Sequence, residues 1–140
     1  MRSDWRDAVV EEARSWVRTP YHHCADVKGV GVDCAMLVWR VYHDLGLIDV
    51  ADPRPYPFHW HLHRDEERYL LNFETWAHRV ADGDQQAGDI ALFRFGRTVS
   101  HSGVLTSPTT MVHAYAGLGC WEGDISAHAE RLHSYWSVTP

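Results

Sequence analysis

Gly31-Val32-Asp33-Cys34-Ala35-Met36-Leu37-Val38-Trp39 is the stretch on which the fold turns. Asp33 follows a turn-forming Gly-Val pair and precedes a strongly apolar run, the pattern of a helix N-cap. Its carboxylate can accept a first-turn backbone N–H, which leaves Cys34 inside that turn. Unpaired N–H groups and the positive end of the helix dipole favour a thiolate there over a thiol. A nucleophile at a helix start is one reading. A small buried hydrophobe is the other, and this stretch alone leaves both open.

Working outward, the Cys34 helix should run to about Leu45, with Gly46 as its stop. Cys34, Leu37, Val38, Val41 and Leu45 share one face, and Met36, Trp39 and Tyr42 leave little polar surface elsewhere. Such a helix belongs at the centre of a core. Upstream, residues 4–18 carry a helical stripe of Trp5, Ala8, Val9, Ala13, Trp16 and Val17, stopped by Thr19-Pro20. Downstream, three prolines in 52–57 exclude helix and central strand, and a second amphipathic helix is predicted from about Asp65 to Val80. From Gly88 the period becomes strand-like: 89–95, 99–106, 110–115 and 132–138, with a Gly-rich loop at 116–119 before Cys120. Helices followed by strands predict an α+β fold on an antiparallel sheet.

The 140 residues suit one domain spanning the whole chain, 1–140. A formal charge of −6 argues against nucleic acid as partner. No apolar run nears the ~20 residues of a membrane span, and the first residues have no signal-peptide core. Three cysteines are too few for a disulfide framework. The reading is a protein made in a reducing cytoplasm, with no cofactor called for.

A cysteine nucleophile needs a base, and eleven histidines offer many. His101 lies in Val99-Ser100-His101-Ser102-Gly103-Val104, and His113 in Met111-Val112-His113-Ala114-Tyr115. In central strands, an imidazole is costly unless it is bonded or used. Pairing Leu105 with Thr109 would set His101 directly opposite His113, on one face and roughly 5 Å apart. A tighter turn would pair Leu105 with Val112 and break that match, and the sequence leaves the register open.

Asp33-Cys34 opening an apolar helix, Gly88-Asp89-Ile90-Ala91-Leu92-Phe93, Ser100-His101-Ser102-Gly103-Val104 and Val112-His113-Ala114 together resemble the NlpC-type cell-wall cysteine peptidases, a papain-like group. The resemblance covers about Thr19 to Tyr115 and includes the short phage-tail forms. It implies Cys34 as nucleophile, His101 as general base and acid, and His113 as the residue that orients His101. It also implies that the Tyr21 hydroxyl joins the Cys34 backbone N–H in holding the oxyanion. His22, His23, Asp33, Met36, Ser100 and Ser102 flank these groups and are expected to line the substrate cleft. The substrate implied is a peptidoglycan stem peptide, cut between D-glutamate and the next diamino acid. Phage tail-tip proteins are the partners and the virion tail the location implied, with no membrane and no nucleic acid. Two departures bear on the cleft: Ala35-Met36 replace the usual Ser-Gly, and His22-His23-Cys24 replace a Trp-Gly-Gly-like run.

Rival readings remain open on the sequence. An inactive tail-tip subunit would keep the fold, with Met36 blocking the cleft. His59-x-His61-x-His63 sets three imidazoles on one side of an extended segment and could bind Zn²⁺ or Ni²⁺, although no obvious fourth ligand lies nearby and a solvated or rim-forming loop is the favoured reading. His22-His23-Cys24 could join such a site or line the cleft beside Tyr21, and Cys24 could pair with Cys34 under oxidising conditions. Trp60 and Trp121, read as loop residues, could meet a glycan or a partner protein.

Overall fold

The computed structural model describes residues 4–54, 70, 73–96 and 98–138. Helix α1 (Asp4–Arg14) is followed by a small hairpin of β1 (Asp26–Val27) and β2 (Gly31–Val32). Next come α2 (Cys34–Asp44), β3 (His78–Val80), β4 (Ile90–Phe95), β5 (Thr98–Ser107), β6 (Thr110–Tyr115) and β7 (Gly119–Asp124). A 3-10 segment (Ile125–Arg131) then leads into β8 (Leu132–Ser137). Six strands form one antiparallel sheet in the order β3-β8-β4-β5-β6-β7. The α+β, papain-like class expected from the sequence is the one observed.

The sheet separates two apolar clusters. On one face Ile90, Leu92, Val104, Val112, Ala114 and Trp136 pack against Val9, Ala13 and Trp16 of the first helical region and against most of α2. On the other, Ala91, Phe93, Leu105, Met111 and Tyr135 form a smaller cluster that Ile125 and Leu132 help to cover. Helix α2 is buried nearly all round, as its composition predicts, and Met36 is fully enclosed. The expectation that Met36 lines or blocks a cleft is thereby corrected: its side chain belongs to the core.

Three other expectations change. Helix α1 stops at Arg14 rather than 18: Trp16 and Val17 bond only three residues back, and Arg18 adopts φ 79. The cause is tertiary, because the Arg18 N–H donates to the Cys120 carbonyl and the Cys120 N–H to the Thr19 carbonyl. The second amphipathic helix lies mostly outside the described residues. Leu70, Phe73 and Glu74 are helical, but 78–80 is strand, paired with β8 through His78↔Ser137 and Val80↔Tyr135. Beyond the Gly-rich loop expected at 116–119, Cys120 and Trp121, expected as filler and loop, belong to β7, in register with β6 from Thr110↔Asp124 to Tyr115↔Gly119. Trp121 is therefore a strand residue with an exposed ring.

A buried polar knot joins the helices to the start of β4. Arg6 Nη1 donates to Asp89 Oδ1 at 2.8 Å and to the Ala87 carbonyl at 2.9 Å. The Tyr42 hydroxyl donates to the Gly88 carbonyl at 2.6 Å. Gly88 has φ +91, which favours glycine, and a Cβ there would also crowd Arg6 at 3.2 Å. Among the described residues no helix is long and apolar enough to cross a membrane.

Candidate active site

Helix α2 starts as its sequence dictates. Asp33 is extended (φ −109, ψ 177), and its Oδ1 accepts the Met36 N–H at 2.9 Å. At the far end Leu45 is the C-cap and Gly46 takes φ +73. Cys34 therefore occupies the first turn of an 11-residue helix, where the dipole favours a thiolate. Ser102 Oγ donates to the Cys34 carbonyl at 3.2 Å and fastens this turn to β5. Ser102 is fully buried, so its observed part is to hold the helix start rather than to line a cleft.

His101 and His113 lie close together, although not by the expected pairing. The register is Leu105↔Met111 and Val104↔Val112, between the two alternatives the sequence leaves open. Continued one residue beyond Val104↔Val112, it opposes Gly103, not His101, to His113. The imidazoles therefore meet diagonally, and His101 Nε2 lies 2.9 Å from His113 Nδ1. Gly103 makes this possible: a Cβ there would lie 2.5 Å from Met111 Sδ and 3.3 Å from His113 Cβ.

The pair sits on the sheet face away from α2. His101 is partnered with Phe93 on β4, and its ring stacks on Phe95 with centroids 5.4 Å apart. Tyr115 and His128 close the surround, the latter 5.4 Å from the His113 ring. His128 comes from the 3-10 segment, and no spacing in the sequence singles it out among the other histidines. Burial pushes the His101 pKa well below the usual imidazole value, with His113 and then His128 adding to the effect. His113 is lowered to about 4, by burial first and His128 second. Both rings are therefore neutral at pH 7.

Cys34 approaches from the other side of the sheet, and the two meet at an irregularity. Between Phe93↔His101 and Arg94↔Val99 the β4–β5 register shifts, which leaves Ser100 as the extra residue of a bulge. Cys34 Sγ donates to the Ser100 carbonyl at 3.7 Å, across the peptide that joins Ser100 to His101. With His101 Nε2 engaged by His113, Nδ1 is the ring nitrogen left for the thiol. Thiol, imidazole and second imidazole thus come from α2, β5 and β6 respectively.

Tyr21 is held nearby by a bridge to Val32, and the adjoining His22 N–H donates to the Val32 carbonyl at 3.0 Å. Its hydroxyl pKa is driven up by burial first, then by the charges of Cys34, Asp33 and Cys24. It therefore stays a proton-bearing donor through the physiological range. His22 is exposed and His23 half-buried, at the same margin. The His59 to His63 segment and Trp60 fall outside the described residues. No disulfide is formed by Cys24, Cys34 or Cys120, and burial pushes the Cys120 thiol up to about 12.

A helix-start cysteine set against a sheet that carries a histidine pair defines the papain-like α+β class. Residues 18–137 match the NlpC/P60 family, and the chain belongs to it. No curated protein sequence matches the chain. Among solved structures it is similar to the NlpC/P60 domain of the peptidoglycan hydrolase SagA, with 17% identity, a TM-score of 0.70, and 94% of this chain and 97% of that one covered. It is also similar to an NLP/P60-family lipoprotein-like protein of Staphylococcus aureus (18% identity, TM-score 0.71). That match covers 100% of this chain and 43% of the other, so the chain spans less than half of that relative. NlpC2 of Trichomonas vaginalis is a third, with 15% identity, a TM-score of 0.72, and 95% and 47% covered.

Proposed function

We propose that this protein is a cysteine peptidase that hydrolyses peptidoglycan stem peptides. The observation that carries the reading is the His101–His113 pair, 2.9 Å apart, next to the peptide on which the Cys34 thiol rests. In the first step the Cys34 proton passes to His101 Nδ1, and the thiolate attacks the scissile carbonyl carbon. The Cys34 N–H and the Tyr21 hydroxyl hold the oxyanion that forms. His101 Nδ1–H then protonates the departing amine and leaves a thioester on Cys34. Water, deprotonated by the same nitrogen, releases the acid and restores the thiol.

Neutral His101 can accept at Nδ1 only as the tautomer that carries its hydrogen on Nε2. His113 Nδ1 is placed to accept that hydrogen and so selects the tautomer. It also offers a dipole to the imidazolium present during acylation.

Family membership favours a cell-wall substrate, and SagA, a family member of similar fold, is a peptidoglycan hydrolase. The bond proposed lies between D-glutamate and the following diamino acid, and delivery on a phage or phage-like tail tip is proposed with it. Digestion of purified peptidoglycan, read by mass spectrometry of the released peptides, tests bond and activity together. New D-glutamyl ends should appear with wild type and vanish with Cys34→Ala. Identical products from the two proteins overturn the peptidase reading. Mass spectrometry of purified tail particles tests the route.

A further inference from the structure

We propose that His23, Cys24 and Asp33 form a binding site for a thiophilic divalent cation of the zinc type. Ligand atoms from these three residues lie within 4.8 Å of one another. His23 Nε2 is 3.3 Å from Cys24 Sγ. A tetrahedral zinc ion, with bonds of about 2.0 Å to nitrogen and 2.3 Å to sulfur, spans an N···S edge of about 3.5 Å. The two atoms, hydrogen-bonded to each other, need move apart by only about 0.2 Å to form that edge. Asp33 offers its carboxylate within that 4.8 Å span, with Oδ2 3.8 Å from the other nitrogen of the ring, Nδ1.

The chemistry of the donors fits as well. Thiolate, imidazole and carboxylate are the three donor types that zinc takes from proteins, and a mixed set with three protein ligands leaves a fourth position for water. Cys24 thiolate and Asp33 carboxylate bring two negative charges against the two positive charges of the ion. Asp33 can serve without releasing the helix, because Oδ1 holds the Met36 N–H at 2.9 Å while Oδ2 accepts the Cys24 N–H at 2.7 Å, and a carboxylate oxygen can take more than one partner. The nearby cation is Arg54, whose Nη1 donates to the Cys24 carbonyl at 2.9 Å. Its charge is matched by Asp26 and Asp52. His23 is 31% exposed, which leaves an entry path. Binding exchanges the Cys24 S–H bond for an S–metal bond and releases the proton to solvent.

A regulatory consequence rests on the peptidase reading above. Asp33 precedes the nucleophile, so an ion here occupies the margin of the site where Tyr21 stands. Occupancy should then suppress turnover, and a chelator should restore it.

The test is a titration of the full chain with zinc chloride alone against a chromophoric chelator, with cobalt(II) as a spectroscopic substitute. One ion should bind per chain, and cobalt should give a thiolate-to-metal charge-transfer band. Cys24→Ser should remove the band, and both Cys24→Ser and His23→Ala should weaken zinc binding by at least about 100-fold, since loss of even an outer partner costs 10–100-fold. Asp33→Asn keeps a capping side chain and should weaken it by at least about tenfold. Cys34→Ala should bind as wild type does. Uptake that survives Cys24→Ser combined with His23→Ala, that disappears in Cys34→Ala, or that requires His59, His61 and His63 instead, overturns the site. Zinc binding in a protein that releases no muropeptide even after the chelator has removed the ion would refute the peptidase reading and leave the metal site standing.

Discussion

Replacing His113 with Asn should remove one of two buried-imidazole contributions to the pH dependence of stability below the ordinary imidazole range. In the folded protein, burial and then His128 hold the His113 pKa at about 4, against 6.5 in the unfolded chain. The unfolded state therefore binds the extra proton first as the pH falls. Stability is complete above about pH 6.5 and is lost progressively as the pH drops towards 4. At 1.36 kcal/mol per pKa unit, the loss from His113 alone amounts to about 3 kcal/mol, in a ring only 4% exposed. Asn keeps an acceptor for His101 Nε2 and does not titrate. Urea unfolding at a series of pH values reads the difference. With a typical slope of about 1–3 kcal/mol per molar, the wild-type midpoint should fall by about 1–3 M more than that of His113→Asn. Carboxylates, and His101 as far as its burial lowers it, titrate in both proteins and cancel in the comparison. Parallel midpoint curves for the two proteins would refute the assignment of a buried neutral imidazole at 113.

Other substitutions probe the same assembly. Tyr21→Phe should leave unfolding nearly unchanged and lower kcat by about 10²–10³, the usual cost of one oxyanion donor, in a muropeptide-release assay. Gly103→Ala places a Cβ against Met111 and His113, so calorimetry should show about 1–3 kcal/mol of destabilisation, with peptide release reduced as the two rings part. Asp33→Ala removes the cap of α2 together with the acceptor of the Cys24 N–H, and should cost about 1–2 kcal/mol in chemical denaturation.

What the sequence made legible was local. Asp33 and Gly46 mark both ends of α2 because a cap and a left-handed stop are choices made within a few residues. The apolar stretches of β4, β5 and β6 carry their own period. Strands β3 and β7 were not legible, because His78-Arg79-Val80 and Gly119-Cys120-Trp121-Glu122-Gly123-Asp124 have little strand character by themselves and take it from a neighbour. The hairpin register was hidden in a side chain. Ser107 Oγ accepts the N–H groups of Thr109 and Thr110, and this turn selects Leu105↔Met111. His101 and His113 were found as residues, but their diagonal meeting depends on that register, and His128 joins them only through tertiary packing.

The site's place in the sheet follows from a constraint on antiparallel strands. A residue that faces helix α2 is covered by it, as Ser102 and Val104 are, so an imidazole on that face would be enclosed with the core. One on the other face is screened from a helix-borne thiol by the backbone of its own strand. The bulge at Ser100 resolves the conflict, because the extra residue bends the strand and brings the Ser100–His101 peptide against Cys34. The ring can then keep its partner His113 through Nε2 on the far face, which leaves Nδ1 outside that contact. Deleting Ser100 should restore an uninterrupted β4–β5 ladder and remove that approach. Such a deletion variant should unfold cooperatively and keep its secondary structure by circular dichroism, yet release no peptide from peptidoglycan. Full activity in the deletion variant would mean that the thiol and the imidazole meet by some route other than the bulge.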